Sequence, residues 1–205
     1  MIKKNVVLVS LEWDIIDLIS HFPSYELIGF FDISSQSDSS VIPWLGRDES
    51  WLNWRKENLQ AKVILGIDPP KLRRSLFSLY GEKNILSLIS PLAYVSSLAT
   101  LGDALIIQHR STIMPKVSIG KGSKIHIGAA IHHEAVIGEF VTIAPGAIIL
   151  GSVMIGSETY IGAGAIIKQN CKIGKNVVIG AGAVVITDIP DAAVVAGNPS
   201  RPIQR

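Results

Sequence analysis

The sequence is poor in cysteine and in aromatic residues. It contains a single cysteine, Cys171, and only 6% of its residues are aromatic. One thiol cannot form an internal disulfide bond, so the fold must rest on packing. Because a free cysteine is most often a small buried residue, we expect Cys171 to belong to the core rather than to act as a nucleophile.

The chain also lacks a strong charge imbalance and long apolar runs. Its net charge is +2 over 205 residues, with no long basic or acidic run, which argues against nucleic acid or an anionic membrane as the main partner. No apolar stretch approaches the length of a membrane span, and Val6–Val9 is too short for the apolar core of a signal peptide. We therefore expect a soluble, cytoplasmic protein.

What the sequence has instead is a six-residue repeat. Every sixth residue from Val95 to Val185 is aliphatic, and the residue four positions later is usually small. A period of six fits neither a helix nor an ordinary strand, and it indicates a solenoid of hexapeptide repeats. The aliphatic positions are Val95, Leu101, Ile107, Ile113, Ile119, Ile125, Ile131, Ile137, Ile143, Ile149, Ile155, Ile161, Ile167, Ile173, Ile179 and Val185.

Each repeat is expected to form a short strand and a turn, and so to build one side of a prism. A single repeat cannot bury its apolar face alone, so the stacked coils supply the core. If three hexapeptides complete one coil, residues 18 apart lie directly above one another. This register predicts which side chains share a column on the outer surface.

The first 90 residues follow a different pattern. Apolar runs at 6–9, 27–31 and 63–65 alternate with helical patterns at 13–20, 48–59 and 71–79, and 84–89 is a further strand-like run. Alternating strands and helices predict a small Rossmann-like α/β domain with a parallel sheet. We expect this domain at 1–90, the β-helix at 91–187 and a capping tail at 188–205.

One cluster of titratable residues interrupts the apolar repeat. With Ile131 pointing inward, His133 and Glu134 fall at a turn, where side chains project outward. The pKa of histidine lies nearest neutrality, and an adjoining carboxylate can orient the ring, which suits a general base. The simpler alternative is a surface histidine beside a surface glutamate.

Four segments carry a recognisable pattern: Ile131–Phe140, Ile143–Ala147, Ser90–Val95 and Val194–Arg201. Together they resemble the family of sialic-acid O-acetyltransferases (NeuD) and bacillosamine-precursor N-acetyltransferases (PglD). Ser90–Val95 resembles that family's entry to the first coil, and Val194–Arg201 resembles its C-terminal signature.

This resemblance implies a homotrimer of left-handed parallel β-helices that binds acetyl-CoA between neighbouring subunits and acetylates an amine or hydroxyl of a sugar. Handedness comes from the family, because most parallel crossovers are right-handed. The family's base maps onto His133, with Glu134 as its partner. Its cofactor contacts map onto Thr142, Gly151, Ala163 and Ala181, with Gly162 and Gly180 beside the last two. PglD-type members can carry a second histidine at the position of Thr142, and threonine does not titrate in its place.

The first domain departs from the family pattern. Members usually have a glycine-rich turn after the first strand that holds phosphates, whereas this chain has Val9–Asp14 with no glycine. Glu12 and Asp14 would repel a diphosphate. Asp32, at the end of the second strand, could still contact the base or ribose of a nucleotide. Lys168, Lys172, Arg201 and Arg205 could meet the phosphates of CoA.

Two other classes remain possible. The γ-type carbonic anhydrases use the same solenoid and bind zinc through three histidines, two of them five residues apart; among His109, His126, His132 and His133 no pair has that spacing. We therefore predict no metal. A non-catalytic trimeric scaffold in sugar activation is the other alternative, suggested by the missing glycine-rich turn.

Overall fold

The computed structural model describes residues 3–33 and 41–203. The serine-rich tract at 34–40, which the sequence suggests is a loop, lies outside the described residues, as does Arg205. Both parts of the predicted fold are present: a small parallel α/β unit followed by a left-handed parallel β-helix. The predicted fold class is therefore confirmed.

The α/β unit is a four-stranded parallel sheet with three helices. Its strand order is β3-β2-β1-β4. The sequence correctly predicts three of the strands and all three helices, but it misses the short β3, because only Trp44–Gly46 pair at the sheet edge. The elements are β1 Lys4–Val9, α1 Trp13–Ser20, β2 Tyr25–Phe31, β3 Trp44–Gly46, α2 Trp51–Glu57, β4 Lys62–Leu65 and α3 Pro70–Tyr80, with 3₁₀ turns at Asp48–Ser50 and Glu82–Asn84.

The predicted strand at 84–89 does not form as a single element. Asn84 ends a 3₁₀ turn, and Ile85 makes one isolated bridge to Val63 of the first sheet. Leu88–Ile89 then pairs with the β-helix strand at Ile106–Ile107. The chain therefore passes from one sheet to the other within a few residues, because each end of the run meets a different sheet.

The β-helix has three faces of two-residue strands. Face one contains β5 Leu88–Ile89, β8 Ile106–Ile107, β11 Lys124–Ile125, β14 Thr142–Ile143, β17 Tyr160–Ile161, β20 Val178–Ile179, β22 Val194–Ala196 and, antiparallel to β22, β23 Arg201–Pro202. Face two contains β6 Tyr94–Val95, β9 Thr112–Ile113, β12 Ala130–Ile131, β15 Ile148–Ile149, β18 Ile166–Ile167 and β21 Val184–Val185. Face three contains β7 Thr100–Leu101, β10 Ser118–Ile119, β13 Val136–Ile137, β16 Met154–Ile155 and β19 Lys172–Ile173.

From β5 to β21 the strands stack with an 18-residue offset, which shortens to 16 residues between β20 and β22. Ile125 pairs with Ile143 on face one, Ile131 with Ile149 on face two, and Ile137 with Ile155 on face three. These isoleucines are buried, and with the small residues of the repeat they form one continuous core. Cys171 belongs to this core and is only 4% exposed. Burial raises the pKa of its thiol, and Asp188 adds to the effect, so Cys171 is the core residue that the sequence predicts.

The turns between faces define three corners. Corner one follows face one, as at 145–146, corner two follows face two, as at 133–134, and corner three follows face three, as at 139–140. From Ala104 to Gly182 the second residue of each turn has a positive φ, for example Glu134 at 62° and Ser152 at 57°. Glycine takes this position at corner one from Gly128 onward, whereas side-chain residues occupy it at corner two.

A buried arginine joins the two parts of the chain. Arg73 of α3 is 1% exposed and donates from Nε to the Gly122 carbonyl at 2.7 Å and from Nη2 to the Val141 carbonyl at 3.1 Å. Its Nη1 donates to the carbonyls of Ile67 and Asp68, each at 2.8 Å. Burial lowers the pKa of Arg73 to about 10, opposed by the charge of Asp68, and at neutral pH it stays charged.

A second charged contact lies beside it. Lys124 of β11 has a side chain only 1% exposed, and its Nζ lies 2.5 Å from Asp68 Oδ1 and 2.5 Å from the Gly66 carbonyl oxygen. His126 Nε2 lies 3.0 Å from the same carboxylate oxygen. Burial alone would raise the pKa of Asp68, but hydrogen bonds and charges from His126 and Lys124 outweigh it and hold the pKa far below its usual range. Asp68 therefore neutralises charge that face one buries against the α/β unit.

We expect Asp68→Asn to destabilise the protein by about 3 kcal/mol, because it leaves the buried Lys124 ammonium without its carboxylate. Since the pKa of Asp68 is lowered on folding, its contribution to stability is present above about pH 4 and is lost as the pH falls below that value. Urea unfolding at pH 7 and at lower pH measures both effects. The exposed Asp103→Asn is the matched control, and equal stability of the two variants would contradict the assignment.

Among the described residues, no helix is long and apolar enough to cross a bilayer.

Candidate active site

His133 and Glu134 project together from corner two. The turn places Glu134 in the left-handed region, with the His133 ring beside it, and the side chains are 61% and 49% exposed. His133 Nδ1 lies 3.5 Å from Glu134 Oε2. A neutral ring that carries its hydrogen on Nδ1, facing the carboxylate, keeps its lone pair on Nε2. This is the arrangement that a general base needs.

Gly151 lies directly above His133 in the same column. A Cβ added there would lie 2.7 Å from Cε1 and 2.8 Å from Nε2 of the His133 ring, so the imidazole rests against the glycine. Ser152 N–H donates to the His133 carbonyl at 3.0 Å and fixes the spacing of the two turns. Among the described residues, no backbone carbonyl accepts the N–H of Gly151. An open depression of about 330 Å³ surrounds the ring and is lined by His132, His133, Leu150, Gly151, Ser152, Gln169 and Asn170.

Glu134 is held in its charged form by its neighbours. The hydrogen bond from His133 is the largest cause that lowers the pKa of the Glu134 carboxyl, and the charge of Lys116 adds to it. Lys116 Nζ lies 3.5 Å from Oε1, and Ser152 Oγ lies 3.4 Å from Oε2. A carboxylate that stays ionised can stabilise the imidazolium formed when His133 takes up a proton.

Ala163 and Ala181 share a column at corner one and are exposed. The 18-residue register places them one above the other, linked by the Gly182 N–H, which donates to the Ala163 carbonyl at 2.8 Å. They lie on a different corner from His133 and Gly151, with face two between the two corners. One chain therefore does not bring the predicted base and the predicted cofactor wall onto the same corner.

Gly162 and Gly180, which are predicted to lie beside the cofactor, stack closely on the next coil. A Cβ at Gly162 would lie 2.6 Å from both Ala181 N and the Ile179 carbonyl oxygen, and one at Gly180 would lie 2.9 Å from Ala196 Cβ. Both glycines are needed for close stacking of adjacent coils. They face the next coil rather than an open groove.

The sequence reasoning missed a second set of glycines. Gly128, Gly146, Gly164 and Gly182 occupy the positive-φ position of corner one, and a Cβ at each would meet no atom within 4 Å. Lys116, Glu134, Ser152 and Asn170 adopt the same conformation at corner two, so the turn does not require glycine. Corner one is therefore a strip without projecting side chains beside Ala163 and Ala181. Comparing the two corners along the 18-residue register would have revealed it.

Thr142 is placed away from both corners. It is fully buried on face one, where its Oγ1 accepts from Arg73 Nη2 at 2.9 Å and donates to the Asp68 carbonyl at 2.7 Å. The hydroxyl is thus engaged in the contact between the α/β unit and the β-helix. A cofactor contact by Thr142 stays a prediction, and the structure gives its side chain an interdomain role.

The carboxyl edge of the α/β sheet is acidic. Glu12 follows β1, and burial is the largest cause that raises its pKa; nearby Asp68 and Asp14 also raise it, against Lys124 and His126. Asp14 accepts a short hydrogen bond from the Gln108 side-chain amide. Asp32 follows β2, where its N–H donates to the Gly46 carbonyl at 3.3 Å. The edge therefore offers carboxylates where a phosphate-binding turn would offer N–H groups.

The predicted phosphate-binding cations are spread over the surface. Lys168 follows β18 at corner two, Lys172 lies in β19 on face three, and Arg201 lies in β23 on face one; all three are exposed. The four histidines considered for a zinc site do not converge within the described chain, since His126 contacts Asp68 while His132 and His133 lie at corner two. The structure does not assemble the three-histidine site of a γ-type carbonic anhydrase within one chain.

Comparisons with known proteins agree with this architecture. The family described as Bacterial transferase hexapeptide (six repeats) matches residues 116–151, 134–169 and 152–187. The acetyltransferase domain of PglB from Neisseria gonorrhoeae FA1090 is 27% identical, with a TM-score of 0.91 over 98% of this chain and 100% of that one. The chain has the hexapeptide repeats of the bacterial transferases and the fold of sugar acetyltransferases of the NeuD and PglD type.

Two further solved structures have the same fold as this acetyltransferase. WeeI from Acinetobacter baumannii AYE is 27% identical, with a TM-score of 0.86 over 97% of this chain and 99% of that one. GDP-perosamine N-acetyltransferase from Caulobacter crescentus has the same fold, with a TM-score of 0.90 over 98% of this chain and 97% of that one at 22% identity. No curated protein sequence matches the chain. The similarity to acetyltransferases argues against both the non-catalytic scaffold and the carbonic anhydrase.

We expect Gly151→Ala to lower kcat at least about tenfold with little change in Tm. The three atoms nearest to the new Cβ all belong to the exposed His133 ring, which can move outward, and displacing a catalytic group by about 1 Å can cost about 10²-fold. Gly162→Ala is the contrasting variant. Its Cβ meets backbone of the next coil, so it should cost about 1–3 kcal/mol of stability instead. Steady-state kinetics and thermal unfolding of both variants check this, and unchanged kcat in Gly151→Ala would contradict the placement.

Proposed function

We propose that this acetyltransferase moves an acetyl group from acetyl-CoA to an amine or hydroxyl of a sugar, with His133 as general base. The observation that carries the proposal is the exposed His133 ring, which rests on Gly151 and directs Nδ1 toward an ionised Glu134. No other histidine of the described chain combines this exposure with an adjacent carboxylate on the rigid β-helix. The similarity to acetyltransferases supports the reaction class, and the geometry at corner two supports His133 as the base.

The proposed step is direct transfer. As the acceptor nitrogen or oxygen attacks the thioester carbonyl carbon, His133 Nε2 takes its proton, and Glu134 stabilises the resulting imidazolium. The N–H of Gly151 is free to donate to the oxyanion. Collapse of the tetrahedral intermediate breaks the carbon–sulfur bond and releases CoA, whose thiolate recovers the proton. We propose no covalent acetyl-enzyme on Cys171, because this thiol is buried in the core.

The strip at corner one supports a place for the cofactor. The PglB acetyltransferase domain has been solved in complex with acetyl coenzyme A, and the Caulobacter enzyme with CoA and GDP-perosamine. A pantetheine arm fits best along a wall whose backbone groups can be reached, and Ala163, Ala181 and the corner-one glycines provide such a wall. We infer that Thr142 does not touch the cofactor and contributes instead through its hydrogen bonds to Arg73 and Asp68.

The separation of the two corners supports a homotrimer. In a closed ring of three chains, corner two of one subunit can face corner one of its neighbour, which is a heterologous contact. His133 of one chain and the Ala163 wall of the next would then form one site, and each trimer would hold three sites. Exposed apolar side chains on faces two and three, among them Tyr94, Val136 and Met154, would be covered in such an assembly.

The acceptor is the part of the proposal that this chain modifies most. A nucleotide-linked amino sugar, as in the Caulobacter complex, or a sialic acid are the two acceptor classes within the family. Glu12 and Asp14 disfavour a diphosphate held by the turn after β1, and Asp32, which follows β2, is our candidate to contact a ribose or a base. An enzyme that consumes acetyl-CoA would act in the cytoplasm.

We expect His133→Ala to lower kcat/KM by about 10²–10⁴-fold, the usual range for loss of a general base. Glu134→Gln should cost less, since it keeps the ring in place but removes the charge. Acetyl-CoA consumption against UDP- and dTDP-amino sugars, GDP-perosamine, sialic acid and CMP-sialic acid is the measurement. Glu139→Gln, an exposed glutamate of the next turn, is the matched control.

Activity of His133→Ala equal to that of the unmodified protein, with the acceptor that reacts best, would refute the assignment of the base. If acetyl-CoA binds but none of these acceptors is acetylated, the proposed acceptor classes are refuted. The assignment of the base would then be tested with a further acceptor.

A further inference from the structure

Three side chains with metal-binding atoms meet where helix α1 packs against the start of the β-helix. Asp17 lies in α1, His21 directly follows this helix, and His109 lies at corner one after β8. One ligand atom from each of the three lies within 4.8 Å of the other two. The cluster is far in sequence from His133 and takes no part in the proposed acetyl transfer.

His109 is already oriented by a buried partner. Its Nδ1 lies 2.6 Å from Ser90 Oγ, and Ser90 is 2% exposed and also accepts the N–H of Leu92 at 2.9 Å. With Nδ1 donating to Ser90, the lone pair of the ring lies on Nε2. A ligating histidine is usually fixed in this way, through the ring nitrogen that does not bind the metal.

The other nitrogen of His109 lacks a good partner. Its Nε2 is buried and has no hydrogen bond within the described part of the chain, and the nearest acidic atom is Asp17 Oδ2 at 3.5 Å. The His21 ring stands edge-on to the His109 ring, with centroids 4.6 Å apart. A buried nitrogen that faces a carboxylate and a second imidazole is a group that a cation would satisfy.

No fixed positive charge competes for this carboxylate. Across residues 3–33 and 41–203, no lysine or arginine lies within salt-bridge distance of Asp17, and His109 is the only basic group that does. The side chain of Asp17 is 69% exposed and His21 is also exposed, so both can turn toward a common centre. The distance between ligands around a tetrahedral ion is about 3.4 Å for bonds of about 2.1 Å, which is close to the 3.5 Å between Asp17 Oδ2 and His109 Nε2.

We propose that Asp17, His21 and His109 bind a divalent transition-metal ion of the kind that prefers imidazole, with Zn²⁺ as its representative. Two imidazoles and one carboxylate suit such ions and are poor for Mg²⁺ or Ca²⁺, which prefer an all-oxygen shell. Water would complete the coordination. The ion would connect α1 to the first coils of the β-helix, so it would have a structural role in holding the two parts of the chain together.

The test is titration of the metal-free full-length protein with Zn²⁺ by isothermal calorimetry, together with the absorption spectrum of the Co²⁺ form. We expect one site per chain, a Co²⁺ spectrum of low coordination number, and affinity at least about tenfold weaker in His21→Ala and in Asp17→Asn. Ser90→Ala should weaken binding less. Mg²⁺ is the control ion, and His132→Ala, at corner two, is the control variant.

Equal Zn²⁺ affinity in the unmodified protein, His21→Ala and Asp17→Asn would overturn the proposal. Loss of Zn²⁺ binding in His132→Ala alone would overturn it as well. Both cluster variants change exposed side chains, so loss of binding is not a consequence of unfolding, and thermal unfolding of the metal-free variants verifies this. Because the titration needs neither acetyl-CoA nor an acceptor, its outcome is independent of the proposed reaction.

Discussion

The 18-residue register of the β-helix is the constraint on which the remaining structure depends. Each coil must present an isoleucine inward and a small residue beside it, because the prism has room for one large and one small side chain per face. Glycines such as Gly120, Gly138, Gly156 and Gly162 follow from the same constraint, since a Cβ at any of them would meet the backbone of the next coil. The register leaves only the corners free to vary, and the candidate active site lies there.

The α/β unit is joined to this rigid body through polar contacts. Three charged side chains are buried or half-buried where the two parts meet: Arg73, Asp68 and Lys124. Each donor has an acceptor on the other part of the chain. Such a contact specifies one relative orientation, because a small rotation would leave a buried charge without its partner. The Thr142 hydroxyl takes part in the same contact, because it accepts from Arg73 and donates to the Asp68 carbonyl.

The sequence predicted the features set by periodicity and failed where contacts between distant residues decide. The repeat gave the β-helix, its register and the His133–Gly151 column, because a strict period leaves one stacking arrangement. It could not show that Asn84–Ile89 divides between two sheets, or that Thr142 faces Arg73, since both depend on how the α/β unit docks. The close stacking of Gly162 on the next coil was also not predicted, because small residues look alike in sequence whether they face a neighbouring coil or an open groove. The cluster of Asp17, His21 and His109 likewise arises only when α1 meets corner one.

The shared site that we propose combines corner two of one subunit with corner one of the next. The most direct measurement is the activity of mixed trimers made from two inactive variants, His133→Ala and Ala163→Trp, the second of which fills the exposed wall at corner one. If the site is shared, random mixing gives about a quarter of the sites an intact histidine and an intact wall from different chains, and about that fraction of activity returns. Mixed trimers that remain inactive would contradict the account.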